Sequence, residues 1–132
     1  MGALIFEQAD LLAQLASCDD VALDALDFGV IGFDSENHVC RYNAFESSAA
    51  GLARNRVLGH PLFTVVAPCM NNFMVAQRFE DALAEASTLD ATIDYVLTLR
   101  MRPVKVRLRL LTAPSAPIRY VLVKRYQVAD EH

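Results

Sequence analysis

Apolar and polar positions change their rhythm several times along this chain, and each rhythm predicts a different element. In the last third, Val104, Val106, Leu108 and Leu110 alternate with Lys105, Arg107 and Arg109. A period of two marks a strand with one dry face and one wet face. Residues 92–101 before it are strand-like, TAPSAP after it is a turn, and IRYVLVKRY supplies a final strand. Residues 73–86 keep the three-to-four spacing of one long helix through Phe73, Met74 or Val75, Phe79 and Leu83. The preceding LFTVVAPC has no helical period, and Pro68 biases Ala67 away from helix, so Cys69 is expected at a bend.

The first half is more broken. Residues 8–16 place Leu11, Leu12 and Leu15 on one side of a short helix, and Asp19–Asp20 leads into a second short piece, VALDALDF. Helices this short need tertiary packing to persist, so they read as a detachable cap. The apolar run at 28–33, the polar turn DSEN and then HVCRY predict a hairpin, and the small residues Ser47, Ser48, Ala49, Ala50 and Gly51 predict tight helical turns within 43–56. Two strands, small helices, a long helix and three strands give an α+β fold with a central antiparallel five-stranded sheet flanked by helices. We expect one domain over 1–132, with an N-terminal helical cap at 1–27 and a core at 28–132.

Composition narrows the functional classes. The chain has 132 residues, 54% hydrophobic and 21% charged, the profile of an ordinary globular domain. No apolar run approaches the roughly 20 residues that span a bilayer, and Glu7 and Asp10 precede any basic residue, unlike a secretion signal. A cytoplasmic protein without membrane attachment is expected. Cys18, Cys40 and Cys69 cannot all pair within the chain and match no CxxC pattern, which suits a reducing compartment. The net charge of −4 conceals an asymmetry: residues 1–98 hold four Arg and fourteen Asp or Glu, whereas 99–132 hold eight Lys or Arg and two acids. Without Trp, and without aromatic residues interleaved in RMRPVKVRLRL, the basic stretch predicts a strand face beside acids rather than a nucleic-acid site.

Little in the chain announces catalysis. There is no HExxH, Walker loop, dinucleotide fingerprint or GxSxG elbow, and His38, His60 and His132 fall at a turn, before a proline and at the last position. Tyr42 and Glu46 are four apart, which would put them on one side of a helical turn beginning near Asn43. Converging on one acceptor, they would hold a buried anion through short charge-assisted hydrogen bonds; the plainer reading is a surface glutamate and a core-edge tyrosine. Cys69 is equally open: an inert buried thiol, or an accessible one between Pro68 and the polar segment that follows.

The motifs LDFGVIGFD, YNAFE, VLGHPLFTVVAPC, MRPVKV and VLVKRY resemble the photoactive yellow protein family, blue-light photoreceptors of the PAS fold, over nearly the whole chain. The resemblance implies a PAS-like fold and p-coumaric acid (4-hydroxycinnamic acid) held as a thioester on Cys69, its phenolate accepting hydrogen bonds from Tyr42 and a protonated Glu46. It also implies light-driven trans/cis isomerisation, proton donation by Glu46, release of the cap by the unpaired Glu46 anion, and thermal recovery. Ile31, Val66 and Met101 match chromophore-pocket positions, and the Cys69 N–H would support the thioester carbonyl. Three positions depart from the family: Ala50 replaces a threonine that supports the tyrosine, Leu52 an arginine over the phenolic end, and Leu97 an aromatic residue. The partners implied are the covalent chromophore and an unidentified downstream signalling protein, with the chain a monomer or weak dimer. Two other readings are a light-insensitive PAS-like ligand-binding or protein-interaction module, suggested by those three departures, and a thiol enzyme using Cys69. The second lacks a histidine to activate the thiol; the expectation is that the protein is no enzyme.

Overall fold

A computed structural model describes residues 4–98 and 103–125. Five strands, β1 (Gly29–Phe33), β2 (Val39–Tyr42), β3 (Leu89–Leu97), β4 (Val104–Thr112) and β5 (Arg119–Arg125), form one antiparallel sheet in the order β2-β1-β5-β4-β3. Helices α1 (Leu11–Ser17) and α2 (Asp20–Asp24) precede the sheet, while α3 (Ala44–Ala50) and α4 (Ala76–Glu85) lie between β2 and β3.

Strand β1 is apolar throughout, and β5 is buried from Arg119 to Val123, because both faces of the sheet are covered there. Along β5, Val121 and Val123 join Ile31, Phe79, Val106, Leu108 and Leu110 in one buried cluster. Tyr120 and Leu122 point the other way, into a second cluster with Phe6, Leu11, Leu15, Phe28 and Val30. The first face carries the candidate site and the second carries the N-terminal segment. Each fully buried large apolar side chain stabilises its face by about 2 kcal/mol.

The N-terminal segment overturns one expectation about β4. Arg109, expected on a wet face, is only 5% exposed. Residues from the cap lie over it: its Nη1 donates to the carbonyls of Phe6 (2.8 Å) and Gln8 (2.7 Å), and its Nε and Nη2 donate to the Asp90 carboxylate, both at 2.9 Å. Arg41 reaches the same segment through the carbonyls of Leu15 (2.9 Å) and Cys18 (2.6 Å). Lys124 pairs with Glu7 at 2.7 Å and Arg107 with Asp94 at 3.4 Å, so the basic last third lies beside acids of the earlier chain.

Helix and strand limits also move. Instead of starting at Phe73, α4 starts at Ala76, because the Asn72 side chain accepts from the Met74 and Val75 N–H groups and holds that stretch as a turn. Phe73 and, on the outer side of α4, Leu83 are exposed, and Val75, Phe79 and Ala82 carry the burial. Strand β3 begins at Leu89 rather than residue 92 and runs to Leu97; its expected end, Met101, lies outside the described residues. The aperiodic LFTVV forms a wide π-helical turn, with Val66 N–H donating to Pro61 O (3.1 Å) and Ala67 N–H to Leu62 O (2.7 Å). Such turns widen the helix to redirect the chain, here just before Cys69. Among the described residues no helix is long and apolar enough to cross a membrane.

Asn43 joins the cap, the sheet and α3. Its Oδ1 accepts from Val30 N–H (2.9 Å) and, as the α3 N-cap, from Glu46 N–H (3.1 Å); its Nδ2 donates to Leu23 O (2.9 Å) and Phe28 O (3.0 Å). The side chain is buried, so each lost partner would leave a dry polar group behind. Asn43→Ala is expected to lower stability by roughly 3 kcal/mol in urea unfolding. A loss below about 0.5 kcal/mol would show that water or rearranged backbone replaces these bonds.

Candidate functional site

The site is built where α3, β1 and the end of β5 meet. Asn43 caps α3 at one end, and Gly51, in the left-handed conformation at φ 72°, closes it at the other. Seven residues are thereby fixed as a short helix, with Glu46 and Ala50 on its buried side. Glu46 is 1% exposed, so the surface reading of this residue is wrong. Its carboxylate lies against β1 at Gly29, where a Cβ would overlap Oε1. Only glycine leaves room for the carboxylate there.

The carboxylate is paired with Arg125. Nη1 donates to Oε1 at 2.7 Å and Nη2 to Oε2 at 3.2 Å, a two-pronged contact in which the guanidinium is only 17% exposed. Burial pushes Glu46 above the ordinary carboxylate range, and the hydrogen bonds and charge of Arg125 oppose that shift. Tyr42 belongs to β2, opposite Ile31, and therefore does not share a helical face with Glu46 as their spacing suggested. Burial first, and the nearby Glu46 charge second, push its phenol well above the ordinary tyrosine value. Among the described residues no hydrogen bond joins Tyr42 to Glu46: the glutamate turns to Arg125 instead.

Cys69 occupies a 3₁₀ turn, Pro68–Met70, in which proline needs no N–H partner at the first position. Its carbonyl accepts from Tyr95 Oη (2.6 Å) and Asn72 Nδ2 (3.2 Å), and Asn72 Nδ2 also donates to Tyr95 Oη at 2.6 Å. The cysteine is half-buried. It borders a cavity of about 500 Å³ whose lining includes Ala50, Leu52, Arg56, Val66 and Thr98. Ile31, Tyr42, Val66 and Leu97 lie in one buried cluster, with Leu52 and Cys69 packed against it. The structure thus brings together eight of the nine nominated residues around α3 and this cluster; Met101 lies outside the described residues.

Sequence reasoning missed Arg125, Tyr95, Asn72 and Arg56. Arg125 was signalled by phase, since it continues the Val121, Val123 face of β5. Tyr95 stands two residues before Leu97 and shares its face of β3. Asn72 and Arg56 gave no signal, because a loop amide and a loop arginine acquire these positions only through the path of the chain. Arg56 borders the cavity that Leu52 leaves uncharged.

A five-stranded antiparallel sheet in this order, with helices closing a pocket on one face, places the chain among proteins of the PAS fold. No family model matches the chain. It is 30% identical over 125 residues to photoactive yellow protein from Rhodothalassium salexigens, covering 95% of this chain and 99% of that one. Photoactive yellow protein from Halochromatium salexigens is 31% identical over 125 residues, with the same coverage. The crystal structure of the photoactive yellow protein domain from the sensor histidine kinase Ppr of Rhodospirillum centenum superposes with a TM-score of 0.78 at 33% identity, covering 86% of this chain and 99% of that one. The chain belongs to the photoactive yellow protein family, and so to the PAS photoreceptors.

The Tyr95 contact gives a direct test of how the cysteine turn is held. Tyr95→Phe removes the 2.6 Å bond to the Cys69 carbonyl. We expect a stability loss of about 1 kcal/mol together with faster modification of Cys69 by a thiol reagent, followed by intact mass. Unchanged labelling with unchanged stability would mean that Asn72 alone fixes the turn.

Proposed function

We propose that this protein is a blue-light photoreceptor that carries p-coumaric acid as a thioester on Cys69. The observation that carries the reading is a half-buried cysteine bordering a cavity, with Tyr42 packed in the adjoining apolar cluster. A flat aromatic acyl group fits such a site: the cavity is of the size that small-molecule ligands occupy, and its walls include Ala50, Leu52 and Val66. When bound, the coumaroyl group supplies blue absorption and a double bond that light isomerises.

The chain's own residues supply attachment, polarity and response. Cys69 Sγ would displace the thiol of an activated coumaroyl donor, its own proton leaving with that thiol. The hydrogen bonds of Tyr95 and Asn72 hold the Cys69 backbone so that Sγ stays at the cavity edge. Tyr42 keeps its phenol proton, because burial disfavours the anion, and is therefore a donor. Glu46 is the group that can hold or give up a proton at Oε1 or Oε2 in a dry setting. The N-terminal segment is the element we assign to the response. It is fixed to the sheet by hydrogen bonds and ion pairs from Arg41, Arg109 and Lys124 as well as by its apolar cluster, contacts that can open without breaking the core. A downstream signalling protein would recognise the surface so uncovered.

One observation favours a second reading, a light-insensitive PAS-like ligand-binding or protein-interaction module. Glu46 is engaged by Arg125, and Ala50 and Leu52 bring no polar group to the cavity.

Treating the purified protein with an activated p-coumaroyl donor separates the two. The expected result is a coumaroyl mass increase confined to Cys69 and a visible band that bleaches in blue light and recovers in the dark, both lost in Cys69→Ala. A folded protein that gains neither mass nor colour establishes the light-insensitive module.

A further inference from the structure

We propose that Arg125 is a positioning residue for Glu46: it receives the glutamate as a carboxylate, so that the buried acid has a partner waiting for its ionised form. The inference deepens the photoreceptor reading and rests on it for its role in signalling. Its physical basis is the two-pronged contact at 2.7 and 3.2 Å, formed on a carboxylate 1% exposed. A guanidinium fork presents two parallel donors, a geometry that matches two ionised oxygens and is wasted on a neutral acid.

The surroundings leave Glu46 few other choices. Gly29 provides the gap through which the carboxylate lies along β1 toward the end of β5. From the elements packed around it, the charged or titratable groups acting on Glu46 are Arg125 on β5 and Tyr42 on β2. Asp24 is committed elsewhere, accepting from Ala44 N–H and Arg54 Nη2. An ionised Glu46 is therefore a paired anion and not the unpaired one that the family resemblance implies. Proton loss from Glu46 leaves a carboxylate that Arg125 holds, and the stability of the deprotonated state depends on Arg125.

The test begins in the protein without chromophore, where it is independent of colour. Infrared titration of the Glu46 carboxyl, assigned by its absence in Glu46→Gln, is compared in the parent, Arg125→Met and Arg125→Lys. The Glu46 midpoint should rise by about two pH units in Arg125→Met and by less in Arg125→Lys, which restores the charge without the fork. A carboxyl pushed higher in the folded state binds its proton more tightly there, so Arg125→Met should also lose stability relative to the parent as pH rises above the ordinary carboxylate range. Should Arg125→Met not fold, the guanidinium nitrogen resonances of Arg125 in the parent provide the reading: slow proton exchange that becomes fast in Glu46→Gln. In coumaroyl-loaded protein, Arg125→Met should shorten the bleached state, since the ionised glutamate loses its partner. An unchanged midpoint, guanidinium exchange indifferent to Glu46→Gln, or a bleached state as long-lived without Arg125 overturns the proposal. Failure to load coumarate with a shifted midpoint overturns the photoreceptor reading instead and leaves the pairing standing.

Discussion

A sheet that is dry on both faces has to be sealed twice, and the rest of this structure follows from that constraint. Strands β1 and β5 at its middle are buried on either side, so neither face can be left to water. The long chain between β2 and β3 seals one face and folds around a pocket as it does so. The N-terminal segment covers the other with Phe6, Leu11, Leu15, Leu23 and Leu26. Arginines add to that cover: the buried Arg109 and the partly buried Arg41 reach from the sheet to backbone carbonyls of the segment, tying it down with bonds that depend on position more than on sequence.

That division explains what the sequence revealed and what it concealed. The alternation in β4 was legible because a pleated strand writes its faces directly into the chain, and the hairpin of β1 and β2 because a polar turn interrupts an apolar run. The inward turn of Glu46 was one of two open readings, since a glutamate among small residues is usually solvated, and it is the glycine at position 29 that makes room for its burial. Arg109 was misread for the complementary reason: its side of the sheet is wet until residues about a hundred positions earlier cover it, as the separation between Arg109 and Phe6 shows. The first turn of the long helix failed because the Asn72 side chain captures two N–H groups that a helix would otherwise use. Of the site, Cys69 and its bend were visible from Pro68, whereas Arg125 became meaningful only once the strand register carried it to α3.

Two different chemistries meet α3 and the cluster beside it. At the cysteine end, Tyr95 and Asn72 place neutral donors on a backbone carbonyl, which fixes geometry without adding charge. At the glutamate end, a charge sits in a dry place beside a cation that is itself largely buried. A buried pair of this kind contributes little net stability, because desolvating two ions offsets most of their attraction, but losing either partner is costly. The arrangement is therefore better suited to registering a change of charge than to holding the fold together.

Among the described residues, β3 forms one outer edge of the sheet, and this carries a consequence of its own. Strand β3 offers nine residues of outer edge, long enough to template pairing with another extended chain. Its residues Asp90 and Asp94 project carboxylates that already form ion pairs with Arg109 and Arg107 on the neighbouring strand. A strand laid against that edge would have to dehydrate these pairs in exchange for main-chain hydrogen bonds. The same ion pairs that tie β3 to β4 thus discourage self-association along the longer edge strand among the described residues.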